Sequence, residues 1–185
     1  MSARFIADLH LFDVYSMDWR NHLVSSLDAF ANMLIAEWNS VTDNDDIVII
    51  AGDIGNYCSK TIDVLRMLKG KKVLVYGNHD VPWRSAKIEQ TIFIGIYEEL
   101  LTNGVYIKHR PEFDSEIRSK ASYIVHGHHH YYHTLPMRNH LIKYANDIHR
   151  YNCACDLIGY KPRTLQELAM HKELLLDKFK TNNFI

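Results

Sequence analysis

The chain has 185 residues, 47% hydrophobic and 23% charged. That composition excludes disordered, collagen-like and low-complexity scaffolds, and the length suits one domain, 1–185, with its own core. Twenty-one basic and twenty-two acidic residues leave a formal net charge of −1, so there is no global cationic field of the kind a general polyanion binder uses, and twelve histidines stand as the one excess.

In chain order, Met1–Phe12 lacks the unbroken apolar core and cleavage site of a signal peptide, because Arg4, Asp8 and His10 interrupt it. Apolar runs such as Ile47–Ala51 fall far short of the roughly 20 residues that span a bilayer. A soluble, cytoplasmic protein with no membrane partner is expected. Arg4–Ala7 reads as a short buried strand running into Asp8-Leu9-His10. Leu23–Trp38 follows as a helix, since Leu23, Leu27, Phe30, Leu34 and Trp38 recur at threes and fours and define one apolar stripe. Ile47-Val48-Ile49-Ile50 is β-branched throughout, suits a strand covered on both faces, and ends at Gly52-Asp53. Ser59 or Thr61 is placed to cap a second helix through Lys69, which Gly70 stops. A third strand, Val73–Tyr76, leads into Gly77-Asn78-His79-Asp80. This alternation argues for parallel strands with crossover helices, an architecture that places ligands at the C-terminal edge of the strands.

In the second half, Asn103-Gly104 marks a hairpin between a strand ending near Leu101 and one over Val105–Lys108. Tyr123–Val125 is a short strand running into His126-Gly127-His128-His129-His130, and His149–Leu157 reads as extended. Thr164-Leu165-Gln166-Glu167 is a capping box that opens a helix to about Phe179, ahead of a frayed tail. With no internal repeat or linker, the two halves should share one core as two β-rich layers flanked by helices.

Five clusters of metal-binding side chains each follow an apolar run: Asp8-Leu9-His10, Gly52-Asp53, Gly77 to Asp80, Lys108-His109 and His126 to His130. An Asp-x-His pair on an extended segment points both side chains one way, and His128 with His130 repeats that spacing. Gly52, Gly77 and Gly127 supply sharp turns beside these groups. Asp8, Asp53 and Asn78 offer oxygen, and His10, His109, His128 and His130 offer nitrogen. With no thiolate, this set suits Mn, Fe, Zn or Ni better than Ca or Mg. Seven ligands exceed one coordination sphere, but with one bridging carboxylate they serve two ions, four ligands each.

The order D-x-H, G-D, G-N-H-D, H, G-H-x-H resembles the calcineurin-like metallophosphoesterases. Glu37 to Val41 and Tyr160 to Leu165 also look like their small bacterial and phage members. The resemblance implies an α/β fold, a four-layer α-β-β-α sandwich with a dinuclear metal site at the C-terminal edge of the strands. It assigns Asp8, His10, Asp53 and His130 to one ion, and Asp53, Asn78, His109 and His128 to the other. On the same resemblance His79 would not be a ligand but would serve the leaving oxygen, with Asp80 suited to orient its ring. The implied cofactors are two divalent transition metal ions, manganese first. The implied activity is hydrolysis of phosphomonoesters or phosphodiesters by a hydroxide that bridges the ions. A small phosphate ester is the expected substrate. The alternatives are a nuclease, which the net charge does not support, and a non-catalytic metal-binding scaffold.

The remaining polar residues have weaker cases. His126 reads as a partner of the ligands, Arg110 as a candidate phosphate contact, and His129 as facing away. Tyr131–Asp147 is the longest candidate lid, with Tyr131, Tyr132 and His133 near the cleft. His22, His140, His149 and His171 lack a motif and read as structural or solvated. Lys69, Lys71 and Lys72 read as a solvated face. Cys58, Cys153 and Cys155 form no C-x-x-C pair, and the last two read as small buried residues.

Overall fold

The computed structural model describes residues 3–20, 23–86, 92–112, 115–130 and 146–181. The expected lid residues 131–145, with Tyr131, Tyr132, His133 and His140, lie outside these, as do His22 and the tail beyond Thr181.

The first half builds a sheet of four parallel strands in the order β1 (Ala3–Ile6), β2 (Ile47–Ile50), β3 (Lys71–Val75), β4 (Phe93–Tyr97). The short helix α1 (Met17–Arg20) and the longer α2 (Leu27–Asn39) separate β1 from β2. Helix α3 (Ser59–Met67) separates β2 from β3, and α4 (Val81–Ser85) separates β3 from β4. The second sheet is mixed. Strands β5 (Leu100–Thr102) and β6 (Val105–Ile107) form an antiparallel hairpin, to which β7 (Tyr123–His126) and then β8 (Arg150–Asn152) add in parallel. Helix α5 (Ser115–Lys120) precedes β7, and α6 (Leu165–Thr181) closes the chain against β8 and β1. Beyond β8 the chain continues alongside β1, where Ala7 N–H donates to Cys153 O at 2.8 Å and Cys155 N–H donates to Ala7 O at 2.9 Å. The two sheets thus share one core. Ile6, Leu34, Trp38, Ile50 and Leu74 from the first half bury with Ile107, Val125, Cys153 and Ala154 from the second. The α-β-β-α layering is the expected one.

Several expectations need correction. Helix α2 starts at Leu27, not Leu23, because the Ser26 hydroxyl accepts the Ala29 N–H at 3.1 Å and Leu23 is 46% exposed. Phe30, Leu34 and Trp38 do form the buried stripe. The residue at the N-cap of α3 is Cys58, with extended backbone. Thr61 instead turns inward and donates to Asn56 O at 2.6 Å. Strand β4 was not anticipated, since Gly95 breaks its apolar run. The segment 149–157 is strand only over Arg150–Asn152, with an isolated bridge at Ala154 before the chain turns. Lys72 is buried, not solvated. Its ammonium donates to Leu68 O at 2.6 Å and Gly70 O at 2.9 Å, and burial lowers its pKa. Among the described residues no helix is long and apolar enough to cross a membrane.

Candidate metal centre

Because β1, β2 and β3 run parallel, and β6 and β7 do too, the loops leaving them gather at one edge of the sandwich. Those loops carry all five clusters. Asp8, His10, Asp53 and His128 have φ of 61°, 43°, 56° and 72°, the left-handed region that residues with a Cβ adopt only where their surroundings over-determine it. This corrects the expectation of period-two alternation. Asp8 and His10 face one point because the backbone kinks at each, and His128 is kinked in the same way. The loops are stitched together by main-chain bonds. Asp8 N–H donates to Gly52 O at 2.9 Å, His10 N–H to Asp53 O at 3.0 Å, and Gly127 N–H to His109 O at 3.0 Å.

Two sets of donor atoms converge there, Asp8 with His10 and His130, and Asp8 with Asp53 and His109, every one of these residues buried. His130 Nε2 lies 3.2 Å from Asp8 Oδ1 and 3.2 Å from His10 Nε2. Asp53 Oδ2 lies 3.1 Å from His109 Nε2 and 3.7 Å from His10 Nε2, so one carboxylate faces both sets. His109 Nδ1 sits 2.8 Å from the Ala51 carbonyl, which fixes the ring with Nε2 toward Asp53. His128 donates its N–H to the Asp8 carboxylate at 3.0 Å and sets its ring edge-on to His109, centroids 5.2 Å apart. It lies outside the two tight donor sets. Asn78 and His79 are exposed on the β3 loop, and the His79 ring is 5.3 Å from that of His10.

The electrostatics reflect this crowding. Burial alone would raise the Asp8 pKa, but His130, then His109 and His10, hold its carboxyl well below the usual range. Burial works against protonating His130, yet Asp8 and Asp156 push it up to about 11. His109 is likewise raised to about 9 by Asp53 and Asp8 against its burial, and Asp53 is lowered by His109. His10 falls to about 4 through burial and its neighbour His130. Burial and the charges of His109 and Arg110 lower His128. Arg110 follows His109 in the chain and is exposed. His126 is buried, with Nδ1 2.8 Å from Gly127 O, and burial lowers it to about 3, so it is neutral. His129 does not face away: it is buried too, its ring centroid 5.2 Å from that of His128 and 6.3 Å from that of His126.

Asp80 does something other than orient His79. Its Oδ2 accepts the N–H groups of Asp53 at 2.8 Å and Gly77 at 2.7 Å, and its Oδ1 accepts that of Ile54 at 2.9 Å. It clasps the β2 and β3 loops. His79 instead donates its own N–H to Asp53 Oδ1 at 2.8 Å. Gly77 and Gly127 are needed for close approach more than for turning. A Cβ on Gly77 would collide with the Asp53 carboxylate, and one on Gly127 would sit 2.5 Å from Asp8 Oδ2. Sequence reasoning missed Asp13, whose Oδ2 is 3.5 Å from His10 Nδ1, and Asp156, whose Oδ1 is 3.6 Å from His130 Nδ1. Carboxylates behind imidazoles in this way fix ring orientation and raise ligand basicity. The spacing His10-x-x-Asp13 could have flagged the first, whereas no local pattern links Asp156 to His130.

The residues fit divalent ions. Two carboxylates and several imidazoles converge in a buried space, and protonating both His10 and His130 would set like charges 3.2 Å apart, a conflict that ligation removes.

Comparison with known proteins agrees. An uncharacterised protein of Methanocaldococcus jannaschii is 28% identical over 166 residues, 86% of this chain and 85% of its own length. The gene 66 protein of Mycobacterium phage L5 is 37% identical over 82 residues, 42% of this chain and 39% of the relative. The crystal structure of a protein of unknown function from Aquifex aeolicus superposes with a TM-score of 0.67 at 21% identity, covering 91% of this chain and 98% of that one, which establishes a common fold. The family model for calcineurin-like phosphoesterases matches residues 1–153, and the chain belongs to that family.

Proposed function

We propose that the protein hydrolyses phosphate monoesters or diesters at two divalent transition ions, manganese first among Mn, Fe, Zn and Ni. Asp8, His10, Asp53 and His130 would hold one ion and Asp53, Asn78, His109 and His128 the other. The observation that carries this reading is the meeting of Asp8, Asp53, His10, His109 and His130 in one buried pocket at the strand edge. When bound, such ions lower the pKa of coordinated water and neutralise the phosphoryl oxygens.

The chain's own residues do the rest. Asp8 belongs to both donor sets and Asp53 reaches from the second toward His10 of the first, so the two carboxylates hold the sets side by side. His79 is exposed beside His10, outside the buried donors, where it can meet a substrate's leaving oxygen and donate a proton to it. Its backbone N–H on Asp53 ties its place to the centre, and Asp80 holds the two loops that carry Asp53 and His79. Arg110, exposed and next in the chain to His109, suits a non-bridging phosphoryl oxygen.

Hydrolysis of p-nitrophenyl phosphate and bis(p-nitrophenyl) phosphate with added Mn tests the reading, alongside Asp53→Asn. Activity should require the metal and fall by several orders of magnitude in the variant. Absence of activity, or a variant as active as wild type, rejects it. A panel of cyclic nucleotides, nucleotides, diesters and oligonucleotides then defines the substrate.

A further inference from the structure

Arg20 ends helix α1 and is among the largest fully buried side chains, with 0% exposure. A buried guanidinium needs acceptors for its N–H groups. Here they include the main-chain carbonyls of the Asp-x-His turn: Nη2 donates to Asp8 O at 3.1 Å and Nη1 to His10 O at 3.5 Å. The guanidinium carbon lies 4.0 Å from the Phe30 ring centroid on α2, and Nη2 is 3.7 Å from Cys155 Sγ. The cation is therefore held by α2 and by the chain beyond β8, which itself bonds to Ala7 and Asp8.

That turn is fixed from two sides. The N–H groups of Asp8 and His10 donate to Gly52 O and Asp53 O, while the carbonyls accept from Arg20, and that of Asp8 also from the Cys155 thiol at 3.0 Å. Both residues sit at positive φ, a conformation that Cβ-bearing residues leave when nothing enforces it.

We propose that Arg20 is a positioning residue of the metal centre: through these two carbonyls it holds Asp8 and His10 in their left-handed turn and so aims the carboxylate and the imidazole at the ion they share with His130. This rests on the two-ion reading above. The role needs arginine, because one planar fork reaches two carbonyls at once, and a lysine ammonium on its single stem does not reproduce that geometry. Both Asp8 and His10 belong to the set with His130, whereas only Asp8 reaches the set with Asp53 and His109, so the effect is larger at the first ion than at the second.

The test uses full-length wild type, Arg20→Met and Arg20→Lys, stripped by chelation. Each is titrated with Mn²⁺ by calorimetry and with Co²⁺ by visible absorption, with circular dichroism confirming the fold. Wild type should take two ions. Arg20→Met should bind one ion about 10–100-fold more weakly, the range seen when a group supporting a ligand is removed, and the other with a clearly smaller loss. One set of cobalt bands should shift more than the other. Equal weakening of both ions, as general loosening would give, or two unchanged affinities overturns the proposal. If Arg20→Met does not fold, Arg20→Lys decides: greater weakening of one ion than of the other supports the role, and wild-type affinity for both overturns it. A wild type that binds no ion overturns the two-ion reading itself. That result is separate from a wild type and an Arg20→Met that each bind two.

Discussion

Asp80 and His79 are neighbours with opposite surroundings, one buried with three backbone N–H groups on its carboxylate, the other exposed at the rim. Their substitutions should therefore separate. Asp80→Asn puts an NH₂ against amide donors and leaves at least one buried N–H without an acceptor. Urea unfolding in the presence of chelator should show a loss of about 1–3 kcal/mol. His79→Ala leaves the buried donors untouched, so metal content by elemental analysis should stay at the wild-type value. Its kcat should fall about 10²–10⁴-fold on alkyl phosphate esters, whose leaving oxygen needs a proton, and much less on p-nitrophenyl esters, whose leaving group departs unprotonated. A uniform fall on both substrate types would reject the general-acid role.

At the scale of elements, the capping box at the start of α6 is a case where four letters specified the geometry. Thr164 N–H donates to Glu167 Oε2 at 2.8 Å, and Glu167 N–H donates back to Thr164 Oγ1 at 3.2 Å. Burial opposes ionisation of Glu167, but the Thr164 donors, with Arg4 and Arg163, hold its pKa below the ordinary 4.5. A carboxylate depressed in the folded state contributes stability above its unfolded pKa and loses it as pH falls through the folded value. Glu167→Gln keeps an oxygen for the Thr164 N–H and loses only the charge, so it should be less stable than wild type at pH 7 by about 0.3–1 kcal/mol, the worth of a negative charge in a helix's first turn, with the gap shrinking below pH 4.5. A gap that is constant with pH in thermal melts would refute the charge's part. The Asp8 to His10 loop shows the converse. Its spacing suggested an extended segment, and the backbone is left-handed at both residues because bonds to Gly52, Asp53, Arg20 and Cys155 impose it.

For the whole molecule, the metal centre joins loops from both sheets, so ion binding should stabilise the entire fold. An ion at 100 times its Kd adds about 2.7 kcal/mol. For a domain of this size that is about 5–10 °C in Tm for each site. Differential scanning calorimetry with and without chelator checks this, and an unchanged Tm would mean that the ions do not bind the folded state.

Apolar runs ending in polar clusters were enough to locate β1, β2, β3 and β7 and to place their chemistry at one edge, because strand burial and turn residues are written in neighbouring letters. The donor residues were legible for the same reason. Strand β4 was not, since Gly95 breaks its pattern and pairing with β3 supplies what local propensity lacks. Nor were the partners of Asp80, the burial of Lys72, or the carboxylates behind His10 and His130. Each of these depends on which carbonyl, amide or acid the topology carries within about 3 Å of a polar group. Arg20 is the plainest case: nothing around Met17 to Arg20 marks it, yet it meets Asp8 and Cys155, which lie 12 and 135 residues away in the chain. The sequence by itself determined which atoms reach the edge of the sheets. Only the tertiary structure decided how they are aimed, because aim is set by long-range bonds to a strained backbone that no local pattern records.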